Sequence, residues 1–236
     1  MRRRPWFLVV AISLVAIPVA VAAAPSTATV EFKRAQLRVE INATDGDAGL
    51  QIDLDHDPWQ SLSLTRPDGQ LIFEVQNRGV LRDYGLTELF SESSEPPFTT
   101  FPLSEFKQLF PAGDYVFDGV QTDGMQMRSV VRLTHDFPDG PQITAPEEDS
   151  VVAPDELVVR WNAVMTPVGI QVVRYEVLVV DESRGVRVFS ADLPRMSRSI
   201  TIPEEFLARN GPYKVEVLAI ERSGNQTLTE VSFRVR

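Results

Sequence analysis

An all-β chain, built as two β-sandwiches in tandem behind an export signal, is what the sequence predicts, and three observations predict it. Apolar residues alternate with period two through most of the chain, which is strand patterning. The clearest such run follows the turn pair Asn210-Gly211, where Tyr213, Val215, Val217 and Ala219 fall on one face. A weak echo of that run appears earlier: Leu109, Gly113 and Tyr115 repeat the spacing of Leu207, Gly211 and Tyr213, with Phe106 and Phe206 nearby out of register. The repeat reads as one structural unit used twice.

Residues 1–24 carry the export signal. Arg2, Arg3 and Arg4 form a positive start, Trp6 to Val21 an apolar stretch, and Ala22-Ala23-Ala24 a small-residue end, so the signal is expected over residues 1–23, with cleavage after Ala22 or Ala23. An uncleaved anchor is the alternative, because the apolar run approaches the roughly 20 residues a spanning helix needs. Pro18 and the alanine-rich end favour cleavage, with no membrane insertion afterwards. The chain has no Cys, which excludes a disulfide-stapled scaffold and a Cys-linked lipid anchor. The formal net charge is −10, and the three arginines are the only charged residues before Glu31, so the remainder is more acidic still. That balance excludes non-specific nucleic-acid binding, which relies on Lys and Arg neutralising phosphates. An exported, Cys-free chain with an arginine-rich start points to a bacterial periplasmic or extracellular protein.

The N-terminal sandwich is expected over residues 27–137. Leu37, Val39 and Ile41 share a strand face, Asp45-Gly46-Asp47-Ala48-Gly49 turns the chain, and Leu50, Ile52 and Leu54 return it. Trp59 is expected to open a new strand. It leads into a hairpin over residues 59–76 whose turn, Pro67-Asp68-Gly69, combines a preset φ with a glycine suited to positive φ. Residues 83–101 read as irregular. Leu103, Phe106, Leu109 and Phe110 have helical spacing and Pro111 stops them. Tyr115 and Phe117 then begin a second hairpin through Thr122-Asp123-Gly124, completed by Met127 to Leu133. Asp136 to Pro141, rich in Pro and Gly, is the linker.

From residue 141 to 236 the spacing fits one sandwich throughout. A tyrosine that starts an alternating strand, with Leu six residues before it, is the tyrosine corner that marks strand F of Ig-like sandwiches. Around it, Leu157, Val159 and Trp161 form a Leu-x-Val-x-Trp strand, and Val173, Tyr175, Val177 and Val179 another. Val186 to Phe189, Ile200 with Ile202, and Val231, Phe233 and Val235 supply the rest. This half resembles a fibronectin type III domain, with Pro141 to Pro146 as strand A and the runs just quoted as strands B, C, the strand after C, E, F and G. The resemblance implies a fold and no activity. It also implies that strands C and F pair antiparallel.

That pairing exposes an oddity. The outward face of strand F reads Lys214, Glu216, Leu218, Ile220, and that of strand C reads Arg174, Glu176, Leu178, Val180. Leu178, Val180, Leu218 and Ile220 are therefore the candidate interaction face. They are expected to meet the N-terminal domain, a second copy or a partner, with the contact inside the chain favoured.

Other motifs point less far. Asp45, Asp47, Asp53, Asp55 and Asp57 could supply oxygens to calcium, but their spacing does not match the EF-hand loop, and a solvated turn and strand face is the favoured reading. No Gly-x-Ser-x-Gly elbow occurs. His56 and His135 each adjoin an Asp, yet neighbours on a strand point to opposite faces, so neither pair is a dyad; both His are expected to be exposed near turns. Asn42 and Asn225 begin Asn-x-Thr sequons. No catalytic, cofactor or metal residue is assigned. The expected function is a non-catalytic exported interaction or scaffold protein with a protein or glycan partner, self-association being possible. A calcium-stabilised surface protein using the Asp45–Asp57 cluster, and a glycan-directed enzyme, are the alternatives.

Overall fold

The structure, a computed structural model, describes residues 29–236; the expected export signal lies outside them. The N-terminal half runs β1 (Thr29–Val30), β2 (Arg34–Asn42), β3 (Asp47–Thr65), β4 (Leu71–Gln76), α1 (Leu81–Tyr84), β5 (Leu86–Glu92), α2 (Leu103–Leu109), β6 (Gly113–Gln121) and β7 (Gln126–Leu133). The C-terminal half runs β8 (Ile143–Ala145), β9 (Ser150–Val152), β10 (Val158–Trp161), β11 (Val172–Asp181), β12 (Val186–Pro194), β13 (Ser199–Thr201), β14 (Pro212–Glu221) and β15 (Gln226–Val235). The chain is all-β, with sandwich-like sheets.

β3 organises the first half. The sequence reading placed a break before Trp59; instead one strand of 19 residues passes through it. Its first part lies between β2 and β5, its second between β4 and β6. Register shifts between Asp55 and Trp59 and between Trp59 and Ser61 mark the corner. Pro58, which lacks an N–H to give to a ladder, sits there. The shifts also reset the side-chain alternation. Leu50, Ile52 and Leu54 face inward before the corner, and Trp59, Leu62 and Leu64 after it, so both parts serve one core with Phe106, Tyr115 and Phe117.

β5 corrects the expectation of irregular structure over residues 83–101. Leu86 and Leu89, its core-facing residues, are three apart because β5 is paired across the β3 corner, and the period-two signal is lost there. Both hairpins and α2 form where the sequence placed them. The short helix buries Phe106 but leaves Leu109 about half exposed, so the two halves repeat their tyrosines and not the flanking apolar positions. Tyr115 is fully buried and its hydroxyl donates to the Pro111 carbonyl at 2.9 Å; Tyr213 is equally buried and its oxygen accepts from the Ala208 N–H at 2.6 Å.

In the second half β8–β10–β13 form one sheet, facing β12–β11–β14–β15 with β9 added alongside β15. Trp161, Tyr175, Tyr213 and Phe233 fill the space between with Val159, Val215 and Val217. The larger sheet does not end at β15. Gln226, Thr227 and Leu228 pair in parallel with Glu40, Ile41 and Asn42 of β2, so one sheet of 12 strands runs through both halves.

Candidate functional site

The junction where β2 meets β15 gathers most of the residues that the sequence singled out. β11 and β14 pair antiparallel with Leu178 opposite Glu216, Glu176 opposite Leu218, Val180 opposite Lys214 and Arg174 opposite Ile220. The apolar end of each strand thus faces the charged end of the other. Leu178, Leu218 and Ile220 are 7 %, 2 % and 1 % exposed and form a cluster with Leu228; Val180 is half-buried and stands outside it. Ile220 lines a cleft with Ala35, Leu37 and Val131 of the first half. Leu178, Leu218 and Leu228 form the floor of a groove of about 500 Å³ whose walls include Arg38, Glu40, Gln51, Phe90 and Glu92 from the first half and Glu176, Arg187 and Glu216 from the second. Leu228 was missed by the sequence reading. The signal was present in the outward face of β15, which reads Gln226, Leu228, Glu230 and places its one apolar residue beside Leu218.

Polar residues fasten the same junction. Asn225, at the turn before β15, is fully buried. Its Oδ1 accepts the Val39 N–H at 2.9 Å, and its Nδ2 faces the Thr134 carbonyl, the Thr134 hydroxyl and the Asp136 carbonyl at 3.1, 3.0 and 3.3 Å. An Asn so enclosed cannot carry a glycan in the folded chain. Gln226 donates to Glu40 and to Gln51, and the Leu228 carbonyl accepts the Ala43 N–H at 2.9 Å. Lys214 bridges Glu216 and Glu230 at 3.0 and 2.8 Å. Burial alone would lower its pKa, but the two carboxylates raise it above the ordinary lysine value.

The carboxylates are distributed differently from the sequence expectation. Asp47 and Asp53 lie about 20 Å apart along β3 at strand rise. Asp53 pairs with Arg34 at 3.0 Å and Asp57 with Lys33 at 2.6 Å, and Asp55 also approaches Arg34. These aspartates form a charge-paired strand face, and the structure does not bring the five together. Carboxylate oxygens of Glu40, Glu92 and Glu95 do converge, within 4.8 Å of one another, and are the residues that could hold a cation. Local desolvation, then the nearby Glu92, Asp47, Glu40 and Asp45 charges, push Glu95, an exposed residue, up to about 7. Burial likewise raises Glu40, against the hydrogen bond from Gln226. Asp47 is raised by burial and by Asp45 and Glu230.

Neither histidine is exposed as expected. His56 is 6 % exposed, with Nδ1 accepting the Asp57 N–H at 2.7 Å and Nε2 bound to the Glu31 carbonyl at 3.0 Å. His135 is half-buried, with Nε2 at 2.8 Å from the Phe110 carbonyl. Both rings are used to tie backbone segments together.

One end of the C-terminal sandwich is built differently. Met165 and Val168 in the β10–β11 loop and Met196 in the β12–β13 loop are 74 %, 95 % and 73 % exposed. Met165 and Met196 border a cleft of about 360 Å³ that also reaches Ile170, Tyr175 and Arg195. Among the described residues, no helix is long and apolar enough to cross a membrane.

No protein-family model matches the chain, and no curated protein does. Solved structures do. The FN1–FN3 domains of chicken CNTN1 are 11 % identical over 87 % of this chain, with a TM-score of 0.32. A tetra-tandem repeat from the extending region of a large adhesion protein is 14 % identical over 86 %, with a TM-score of 0.31. A structure of a 1.5-MDa bacterial ice-binding adhesin is 14 % identical over 88 %, with a TM-score of 0.30. The chain spans 65 %, 50 % and 65 % of those three structures.

Proposed function

We propose that the chain is a non-catalytic exported interaction or scaffold module of the bacterial envelope that meets a protein or glycan partner through the loop end of its C-terminal sandwich. The observation that carries this reading is the exposure of Met165, Val168 and Met196 together at that end. Large apolar side chains left in water beside a cleft mark a contact surface, and loops on a rigid scaffold are where sandwiches place recognition. Leu178, Leu218 and Ile220 are not the outward contact in this reading, because their side chains are buried. The ion pairs of Asp53 and Asp57 leave the calcium alternative without a converged aspartate set.

A photo-reactive amino acid placed at Val168 in cells that produce and export the protein tests the proposal. A discrete cross-linked product is expected, lost when Met165 and Met196 are both replaced by Asp. No product at Val168, or one that survives the double substitution, would contradict the loop end as the contact. Turnover of any substrate from a broad glycan panel would contradict the non-catalytic assignment.

A further inference from the structure

We infer that Asn225 is the positioning residue of a fixed joint, so that the two sandwiches keep one relative orientation and unfold as a single unit. One side chain touches three segments: β2 through Val39, the stretch after β7 through Thr134 and Asp136, and the β14–β15 turn on which Asn225 sits, where Ser223 also meets the Thr134 hydroxyl at 2.9 Å. Its place in the ladder explains why it is there. Pairing of β15 with β2 begins at Gln226 opposite Glu40. Val39, the residue before Glu40, gives its N–H to the Asn225 side chain, which adds one more rung to the parallel ladder from a residue that is not itself paired. Asn225 itself is fully buried, so its amide depends on these protein partners for its hydrogen bonds.

Three further features make the joint stiff. The turn Ala43-Thr44 is bonded to β15 beyond the paired stretch, Ala43 N–H to the Leu228 carbonyl at 2.9 Å and Thr44 Oγ1 to the Glu230 N–H at 3.0 Å. The linker is clamped at Gly140, where a Cβ would stand 2.5 Å from Thr229 Oγ1 and 2.8 Å from the Ala43 Cβ. Phe137 of the linker is 9 % exposed and belongs to the first core, with the Lys107 ammonium 5.1 Å from its ring centre. Short tandem linkers ordinarily permit domain motion; here the linker is itself part of the packed joint.

The full chain supplies its own probes. Trp59 is buried in the first core and Trp161 in the second, and neither indole N–H has a hydrogen-bond partner among the described residues, so Trp→Phe removes no bond at either. With Trp6 also changed to Phe, a Trp161→Phe chain reports the first sandwich in urea and a Trp59→Phe chain the second. The chain lacks Cys, so spin labels on Val130→Cys and Met196→Cys, both exposed, report the separation of the halves. Coincident urea midpoints and one narrow distance distribution are expected with Asn225 present. Asn225→Ala is expected to separate the midpoints and broaden the distribution. Should that variant not fold, Thr134→Val, which removes one acceptor of the Asn225 amide, is expected to shift both readouts the same way by less. Separate midpoints or a broad distribution in the Asn225 chain would overturn the inference. So would either readout staying unchanged in the folded Asn225→Ala variant, or in Thr134→Val where that variant stands in for it.

Discussion

Glu95 concentrates the electrostatic tension of the junction. Gly49 lies under it, with a built Cβ only 2.6 Å from its Oε1, and Glu92, Asp47, Glu40 and Asp45 surround it. Although the residue is exposed, local desolvation and then those like charges raise its pKa from 4.5 to about 7. The folded chain therefore holds a proton on Glu95 that the unfolded chain has released between those two values. For a raised pKa the contribution to stability is complete below the unfolded value and is lost as pH climbs through the folded one. The half-buried Glu40 acts in the same direction. The melting temperature should therefore fall between about pH 5 and about pH 8, and Glu95→Gln should flatten that part of the profile. A melting temperature that rises over the same interval, or an unchanged slope in Glu95→Gln, would show that this carboxylate is not held as described. Individual charges such as these were visible in the sequence only as acidity. The aspartates between 45 and 57 looked like a cluster because they are close in sequence, whereas Glu40, Glu92 and Glu95 converge from β2, β5 and the following loop, with no spacing to announce it.

At the scale of elements, the candidate face was legible because antiparallel register on a strand pair is arithmetic. Once Tyr213 and Tyr175 were placed inward, Leu218 and Leu178 had to point outward. What covers them was not legible, since a parallel rung between Leu228 and Asn42 joins residues with no local signature of contact. β5 and the corner in β3 were hidden for a related reason: bulges break the period on which strand reading depends. The covered face makes a firm prediction. Leu218→Asp would put an unpaired carboxylate among Leu178, Ile220 and Leu228, costing several kcal/mol. A loss of most of the folded signal in thermal melting, without any change in the oligomeric state of the native chain's remaining folded fraction, is expected. A variant that melts like the native chain while losing self-association would place the face at an intermolecular contact instead.

For the whole molecule, the consequence of the junction is that a sheet of 12 strands, two cores and a clamped linker behave as one object. Each half buries its own tryptophan and its own tyrosine, Trp59 with Tyr115 and Trp161 with Tyr213. The outer face of the second is closed by the first, and the exposed apolar side chains Met165, Val168 and Met196 remain at one end. A single body of this kind needs a junction as closed as the cores it joins. Amide hydrogen exchange of the full chain reads this without any substitution. Val39 and Gln226 to Leu228, at the junction, should exchange as slowly as Val215 and Val217 in the second core, because only global opening would release either set. Rapid exchange at the junction, with both cores still protected, would contradict a single closed body and return Leu178, Leu218 and Ile220 to the surface.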